Sequence, residues 1–321
     1  MAKRTVMVAL RVLLLTVGLI VCFIVAVNLS GLGEAQPEQA PAAAAGAGAA
    51  AGVQTAPPAL TAGEKQKAQA AQAAAFFKPA FAFSLVLSAA FAWMMLRSGR
   101  TGWPLMLAVF IAYFGLGTAV TQIESAIYLP KKMPPGMLGK IVLMGLYQSL
   151  LFAPLAVLLL GKLRGKREAA KYLRFSGRGW AVRLTLLAIL YIGLYYLFGY
   201  YVAWKVPAVR EYYGGSDPGG FFQQLAGIWR DRPWMFLIQL GRGLMWTLFV
   251  LPLVRSFQGG RLELAGAVAL LFAAWSAILL LPNPLMPPAV AQAHLVETAG
   301  CDLLLGASPG GCWGQKDNVR S

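Results

Sequence analysis

Long apolar runs, separated by short polar or basic segments, dominate the chain. Seven of them reach the roughly 20 residues that an α-helix needs to cross the hydrocarbon core of a bilayer. These runs cover residues 7–30, 77–97, 103–128, 137–161, 181–204, 233–254 and 262–281, and a shorter candidate covers 288–307. The pattern predicts an all-α, polytopic integral membrane helix bundle with seven or eight transmembrane segments.

The composition changes along the chain and divides it into four regions. Residues 1–32 predict an N-terminal transmembrane anchor, because the apolar run is longer than the roughly 7–15 residues of a secretory signal. Residues 33–75 are rich in Ala, Gly and Pro, which predicts an outer loop that is mostly disordered and then helical. Residues 76–308 would form the transmembrane bundle, and 309–321 a polar tail.

Composition also limits the classes of partner. The chain is 58% hydrophobic and only 12% charged, with a mean hydropathy of +0.63. Its net charge of +16 would indicate nucleic acid if the protein were soluble. Here the basic residues lie between apolar runs, so we expect membrane lipids as partners, with anionic headgroups at the cytoplasmic face, and no nucleic acid.

The distribution of basic residues predicts how the bundle is oriented. Twelve of the 28 basic residues lie in three connectors: Arg97 and Arg100, eight residues within 162–183, and Arg255 and Arg261. If every span crosses, these connectors and the N-terminus share one side, and the positive-inside rule makes that side the cytoplasm. Lys131 and Lys132 are the exception. We therefore expect a multi-pass protein of a bacterial-type inner membrane with a cytoplasmic N-terminus.

Two short patterns occur twice and point to an internal repeat. Arg-Ser pairs close the second and sixth spans, at 97–98 and 255–256. Met-Pro-Pro follows the third and seventh, at 133–135 and 286–288, where the prolines are suited to start a helix. The alternative is that such proline pairs recur by chance. A repeat of spans two to four and six to eight would carry the last segment across the membrane.

Several polar residues fall at one depth within the apolar spans, roughly 8 to 15 Å below the outer surface at 1.5 Å of rise per residue. Ionisable groups at such depth need a partner or water, since inserting each one costs roughly 2.5–3.5 kcal/mol. The candidate members of a polar pocket are Glu124, Arg242, His294 and Glu297, with Gln122 and Lys140 near the same layer.

Each of these residues also has a structural interpretation. Glu124 could cap its span, and Arg242 could neutralise Glu124 or Glu297 in a structural ion pair. His294 and Glu297, spaced i and i+3, share a helix face and could act as metal ligands with Glu124. One histidine and two carboxylates make a thin metal site, so we predict none, and the cofactor stays unknown. Tyrosines at 191, 195, 196, 200 and 201 are interpreted as packing residues.

The leading functional hypothesis is a membrane-embedded binding or transport-type protein with an outward-facing polar pocket for a small-molecule or lipid ligand. One alternative is an intramembrane enzyme that acts on a lipid-linked substrate at the outer leaflet, with His294 or Glu297 as general acid or base. Another is a structural subunit of a membrane complex. The chain has no P-loop or dinucleotide-binding glycine pattern, and catalytic residues are not assigned.

Overall fold

The structure, a computed structural model, describes residues 2–32, 62–130, 132–165, 176–283 and 285–308. Within these ranges all the regular elements are helices, and no strand is present. The α-helices are α1 Ala2–Leu29, α2 Ala62–Leu96, α3 Trp103–Phe114, α4 Val120–Tyr128, α5 Met137–Leu159, α6 Gly177–Phe198, α7 Pro207–Tyr213, α8 Phe221–Asp231, α9 Trp234–Val254, α10 Arg261–Ser276 and α11 Pro288–Ala307.

Short irregular helical turns extend three of these helices. π-helical turns at Gly115–Ala119 and Gly199–Ala203 follow α3 and α6, and a 3-10 turn at Ala277–Leu280 follows α10. The first joins α3 to α4, so the third span is one continuous helix with a π-helical turn at its centre. Such turns change the direction in which the following side chains point.

Seven helical segments are long and apolar enough to cross a membrane, which confirms the polytopic helix bundle. They are Thr5–Leu29, Ala74–Leu96, Trp103–Tyr128, Met137–Leu159, Gly177–Ala203, Trp234–Val254 and Arg261–Leu280. Each agrees with a predicted span to within a few residues. α11 is as long as some of them, but His294, Glu297 and Asp302 lower its hydropathy.

The predicted regions outside the bundle are described in part. Residues 62–75 are helical and continue into the second span, as expected for the end of the outer loop. Residues 33–61, where disorder was predicted, and most of the polar tail, 309–321, lie outside the described residues.

The helices of the two halves pack in the same order. α1 contacts α2 and α5, and α3 contacts α5; in the second half α6 contacts α9 and α11, and α10 contacts α11. Across the halves, α2 contacts α10 just as α3 contacts α9. These matched pairings support the predicted internal repeat and extend it from three helices to four, with α1 equivalent to α6 and α5 equivalent to α11.

The two Arg-Ser turns contact each other at the centre of this arrangement. Ser98 Oγ donates to Ser256 Oγ over 2.9 Å, between residues 158 positions apart. The Gly99 amide donates to the Ser256 carbonyl at 2.6 Å, and the Gln258 amide donates to the Arg97 carbonyl at 2.8 Å. The recurring sequence pattern therefore marks the place where the two repeats meet on one face of the bundle.

The two Met-Pro-Pro segments behave differently. α11 begins at Pro288, as predicted, so the missing amide of this proline is harmless. The prediction for the first copy was wrong: α5 begins at Met137, after the prolines, and Gly136 precedes it with φ 77°. Only glycine adopts that left-handed conformation without strain, so Gly136, and not Pro135, sets the start of α5.

Candidate functional site

Arg242 and Glu124 form an ion pair between α9 and α4. Arg242 Nη1 donates to Glu124 Oε1. The arginine residue is 4% exposed, whereas the Glu124 side chain is 34% exposed. The pair lies in the half of the bundle opposite the Arg-Ser turns, because α4 ends and α9 begins at that end. It joins the third and sixth spans, and thus the two repeats.

Further polar and aromatic groups surround the Arg242 guanidinium. Gln239 Oε1 accepts from Nη1 at 2.8 Å. The rings of Tyr191 and Tyr195 lie with their centroids 5.6 and 5.8 Å from the guanidinium carbon, within range of a cation–π interaction. The tyrosines were interpreted only as packing residues, and at these two positions that interpretation was incomplete: both contact the buried cation.

His294 and Glu297 form a second pair, on α11. His294 Nδ1 lies 2.6 Å from Glu297 Oε2, which confirms that the i, i+3 spacing brings them together. His294 Nε2 lies 3.1 Å from the Tyr213 hydroxyl. Both ring nitrogens therefore have partners, one carboxylate and one phenol. Their hydrogen bonds fix the ring plane and couple its protonation to both neighbours.

Tyr213 is hydrogen-bonded to His294 of the second pair, and the charge of Glu124 from the first pair also acts on it. Burial raises the pKa of its hydroxyl, and Glu124, Tyr212 and Glu297 raise that pKa further. Tyr213 thus lies within electrostatic reach of Glu124 from the first pair and of Glu297 from the second. Its hydroxyl stays protonated at neutral pH and can donate one hydrogen bond to a neighbouring acceptor.

The helix that carries Tyr213, α7, was not anticipated from the sequence. Pro207 occupies its first turn and Gly214, with φ 71°, ends it. This combination of a proline at the start and a glycine at the end is typical of a short helix. Lys132 is one of the two lysines that do not follow the positive-inside rule. It lies beside α7, with its Nζ 3.1 Å from the Tyr212 ring centroid.

The two pairs, Arg242–Glu124 and His294–Glu297, form a polar cluster together with the groups around them. Asp302 also belongs to this cluster, although it was not predicted from the sequence. It lies on α11, is 7% exposed, and accepts a hydrogen bond from Ser276 Oγ at 3.5 Å. Its carboxyl group is close enough to Arg242 and Glu297 for electrostatic interaction. The sequence did contain a signal for Asp302: it is an ionisable residue on α11, five positions after Glu297.

The last two candidate residues are placed differently. Gln122 lies on α4 two positions before Glu124, and its Nε2 donates to the neighbouring Thr121 Oγ1 at 3.4 Å. Lys140 lies outside the cluster, because its exposed Nζ donates to the Gly31 carbonyl at 2.9 Å. The structure thus assembles Glu124 with Arg242 and His294 with Glu297. Tyr213 is hydrogen-bonded to His294, and Lys140 lies beside the end of α1.

Arg242 Nε and Gln239 Nε2 are buried atoms of the cluster that have no hydrogen-bond partner among the described residues. Gln239 itself is 0% exposed. A buried polar group without a partner costs roughly 1–3 kcal/mol, and more if it is charged. These two N–H donors lie three residues apart on α9, and an anionic group could accept hydrogen bonds from both.

Two further observations limit the chemistry. Within the described ranges, no group of three or more His, Cys, Asp and Glu side chains is arranged to hold a metal ion. Cys22 and Cys301 are buried free thiols.

No protein-family model, curated protein or solved structure matches this chain. The function of this chain is therefore inferred from the geometry of the cluster.

Proposed function

We propose that this multi-pass membrane protein is a binding or transport-type protein of a bacterial-type inner membrane. Its pocket would open outward, between α4, α6, α9 and α11, and would take a small anionic molecule or an anionic lipid headgroup. Arg242 would receive the anion, because it is the cation at the centre of the cluster. Glu124, His294 and Glu297 would supply proton-linked or polar contacts.

The observation that supports this proposal is the pair of unsatisfied donors at Arg242 Nε and Gln239 Nε2. A charge so deeply buried is retained at a high desolvation cost. If it served only to pair with Glu124, its remaining donor would be expected to find an acceptor in the protein. A carboxylate or phosphate of a ligand would supply that acceptor.

Glu124 gives the proposal a coupling step. It is the more exposed partner of Arg242, so an incoming anion would compete with it for the guanidinium. Displacing Glu124 would free the guanidinium for the ligand, so binding of an anion would be coupled to the opening of the contact between α4 and α9.

The test uses purified full-length protein in proteoliposomes. Charge movement on a solid-supported membrane is recorded while acetate, succinate, inorganic phosphate and glycerol 3-phosphate are applied in turn at pH 5.5, 6.5 and 7.5. We expect a current with at least one anion, and its size at the three pH values tests whether binding is linked to a proton. The double variant Arg242→Gln/Glu124→Gln, which removes both charges and keeps hydrogen-bonding groups, should lose it.

Two controls separate binding from folding. Lys140→Gln removes a charge outside the cluster and should leave the current unchanged. Thermal unfolding in detergent checks that each variant is folded. If no applied anion gives a current or a thermal shift while the wild-type protein is folded, the pocket proposal is wrong, and a structural role for the cluster is the better explanation.

An intramembrane enzyme acting on a lipid-linked substrate is the second candidate. It draws on the chain of hydrogen bonds from Glu297 through His294 to Tyr213, since a histidine oriented by a carboxylate is a common general base. His294→Gln would then abolish turnover of a lipid-linked substrate without unfolding the protein. In the binding proposal it would change the pH dependence of binding and leave the anion response in place.

A further inference from the structure

A cavity of about 620 Å³ lies far from the polar cluster, beside the Arg-Ser turns. It is a groove between α3 and α9. Leu107 and Ile111 line it from α3, and Leu248 and Leu251 from α9. Leu107 and Leu248 are 45% and 47% exposed, so the groove opens to the side of the bundle, where the lipid chains would lie.

Two arginines stand at the end of this apolar groove. Arg100 and Arg255 both contribute to its lining. Burial lowers the pKa of Arg100, and repulsion from the positive charge of Arg255 lowers it further. Among the described residues neither guanidinium forms a salt bridge. Arg255 instead lies over the Trp180 ring, 5.8 Å from its centroid.

In the other repeat, an ion pair and an indole occupy the position equivalent to this end of the groove. There the equivalent of Arg255 is Arg97, which binds Glu263 Oε1 at 2.5 Å, and Trp93 Nε1 donates to the same oxygen at 3.2 Å. With the 158-residue offset of the serines, Trp93 corresponds to Leu251, and Glu263 to Leu105. The α3–α9 groove therefore lacks both the carboxylate and the indole that occupy the α2–α10 side.

We propose that the groove between α3 and α9 is a binding site for an anionic phospholipid. Arg100 and Arg255 would hold the headgroup phosphate, and the acyl chains would cover the leucine-lined floor. Two adjacent cations at the end of an apolar groove match the two parts of such a lipid. A free phosphate would satisfy the arginines but would leave the apolar floor uncovered.

The test is native mass spectrometry of the full-length protein in detergent, titrated with dioleoyl-phosphatidylglycerol or dioleoyl-phosphatidylcholine. These lipids share their acyl chains and differ in headgroup charge. We expect the wild-type protein to retain one phosphatidylglycerol more tightly than any phosphatidylcholine. Arg100→Gln/Arg255→Gln should weaken that binding roughly thirtyfold, which corresponds to about 1 kcal/mol for each arginine.

The repeat supplies the matched control. Arg97→Gln removes the same charge from the same face, but from the copy where Glu263 already neutralises it, and should change phosphatidylglycerol binding by less than about twofold. Leu251→Trp places the indole of the other repeat in the groove and should displace the lipid without changing the charge. The single variant Arg100→Gln keeps the Arg255–Trp180 contact in case the double variant does not fold.

Four results would overturn the proposal. The first is equal retention of the two lipids by the wild-type protein. The second is a loss with Arg97→Gln as large as with Arg100→Gln, which would indicate a diffuse surface charge effect. The third is unchanged phosphatidylglycerol binding in Leu251→Trp together with thermal stabilisation by inorganic phosphate alone, which would assign the arginines to a free anion. A stable dimer in the same spectra that excludes lipid would assign the groove to a second copy.

Discussion

The Arg242 guanidinium on α9 donates a hydrogen bond to the Glu124 carboxylate on α4, and this pair joins the two repeats of the bundle. The two residues are 118 positions apart in the chain. Their contact is possible because α9 packs against α4 and against the π-helical turn that precedes it. A charge pair at this depth can hold the halves together, respond to a ligand, or do both.

The first prediction measures how much the pair stabilises the protein. Arg242→Met should lower stability towards the lower end of the roughly 3–5 kcal/mol that breaking a buried ion pair costs, because Glu124 stays partly exposed to water. Glu124→Leu leaves the more deeply buried charge unpaired and should cost at least as much. The double variant should be more stable than the sum of the two losses implies.

Thermal unfolding of the four proteins in the same detergent gives this double-mutant cycle. The control is the cycle of Arg242→Met with Lys140→Met, whose partners lie elsewhere, and which should be additive. Additive losses for Arg242 and Glu124 as well would mean that the contact carries no coupling energy.

The second prediction concerns the close packing of α6 against α9 beside Arg242. A Cβ atom on Gly243 would lie 2.9 Å from both Ala188 Cα and Tyr191 Cβ, whereas one on Gly241 would meet nothing within 4 Å. Gly243→Ala must therefore move α6 away, at about 1–3 kcal/mol. Gly241→Ala should be neutral or stabilising by up to about 1 kcal/mol, because alanine favours the helix.

These two glycines flank the same arginine, so each variant controls for the other. Melting temperatures in detergent provide the comparison. A Gly243→Ala protein as stable as the Gly241→Ala protein would show that α6 and α9 are not in the close contact described.

Much of the fold could be predicted from the apolar pattern. A lipid environment forces each span to be helical and to satisfy its own backbone hydrogen bonds, so run length alone located seven spans. The same rule located the costly charges, since Glu124, Arg242, His294 and Glu297 are conspicuous in apolar sequence. Their pairing followed from spacing only for His294 and Glu297, which share one helix.

Other parts of the site could not be predicted because they depend on packing between distant segments. Tyr213 reaches His294 across 81 positions through a seven-residue helix that no long apolar pattern marks. Tyr191 and Tyr195 contact Arg242 because α6 packs on α9. The spacing of the tyrosines in the sequence is the same whether their rings pack against apolar side chains or against a cation. Lys140 shared the predicted depth, but it faces α1 and not the cluster.

The third prediction tests orientation. The N-terminus and the connector 162–183 should face the cytoplasm, and residues 34–67 should face outward, because the basic residues concentrate in the former. Single cysteines at positions 3, 178 and 46, introduced into a protein lacking its native cysteines, are labelled with a membrane-impermeant maleimide in spheroplasts and in inverted vesicles. Labelling of position 178 from the outside would reverse the proposed orientation and place the Arg242–Glu124 pair in the cytoplasmic half of the bundle.

The last prediction is that α11 crosses the membrane. It occupies in the second repeat the place that α5 occupies in the first, packing on α10 and α6 as α5 packs on α3 and α1. A Cβ on Gly306 would lie 2.5 Å from Ala269 Cα, so α11 stays in close backbone contact with α10 to its last turn. Its polar residues face that packing: Asp302 is buried, and His294 and Glu297 bond to each other.

If α11 crosses, Cys312 lies on the same side as the N-terminus. In a protein that carries Cys22→Ser and Cys301→Ser, an impermeant maleimide should label Cys312 in inverted vesicles and not in spheroplasts. In the native sequence Cys301 and Cys312 should stay reduced, because Cys301 is buried in the bundle and the tail would lie in a reducing compartment. Labelling in spheroplasts, or a Cys301–Cys312 disulfide in the purified protein, would show that α11 turns back, and the equivalence of α11 to α5 would then fail.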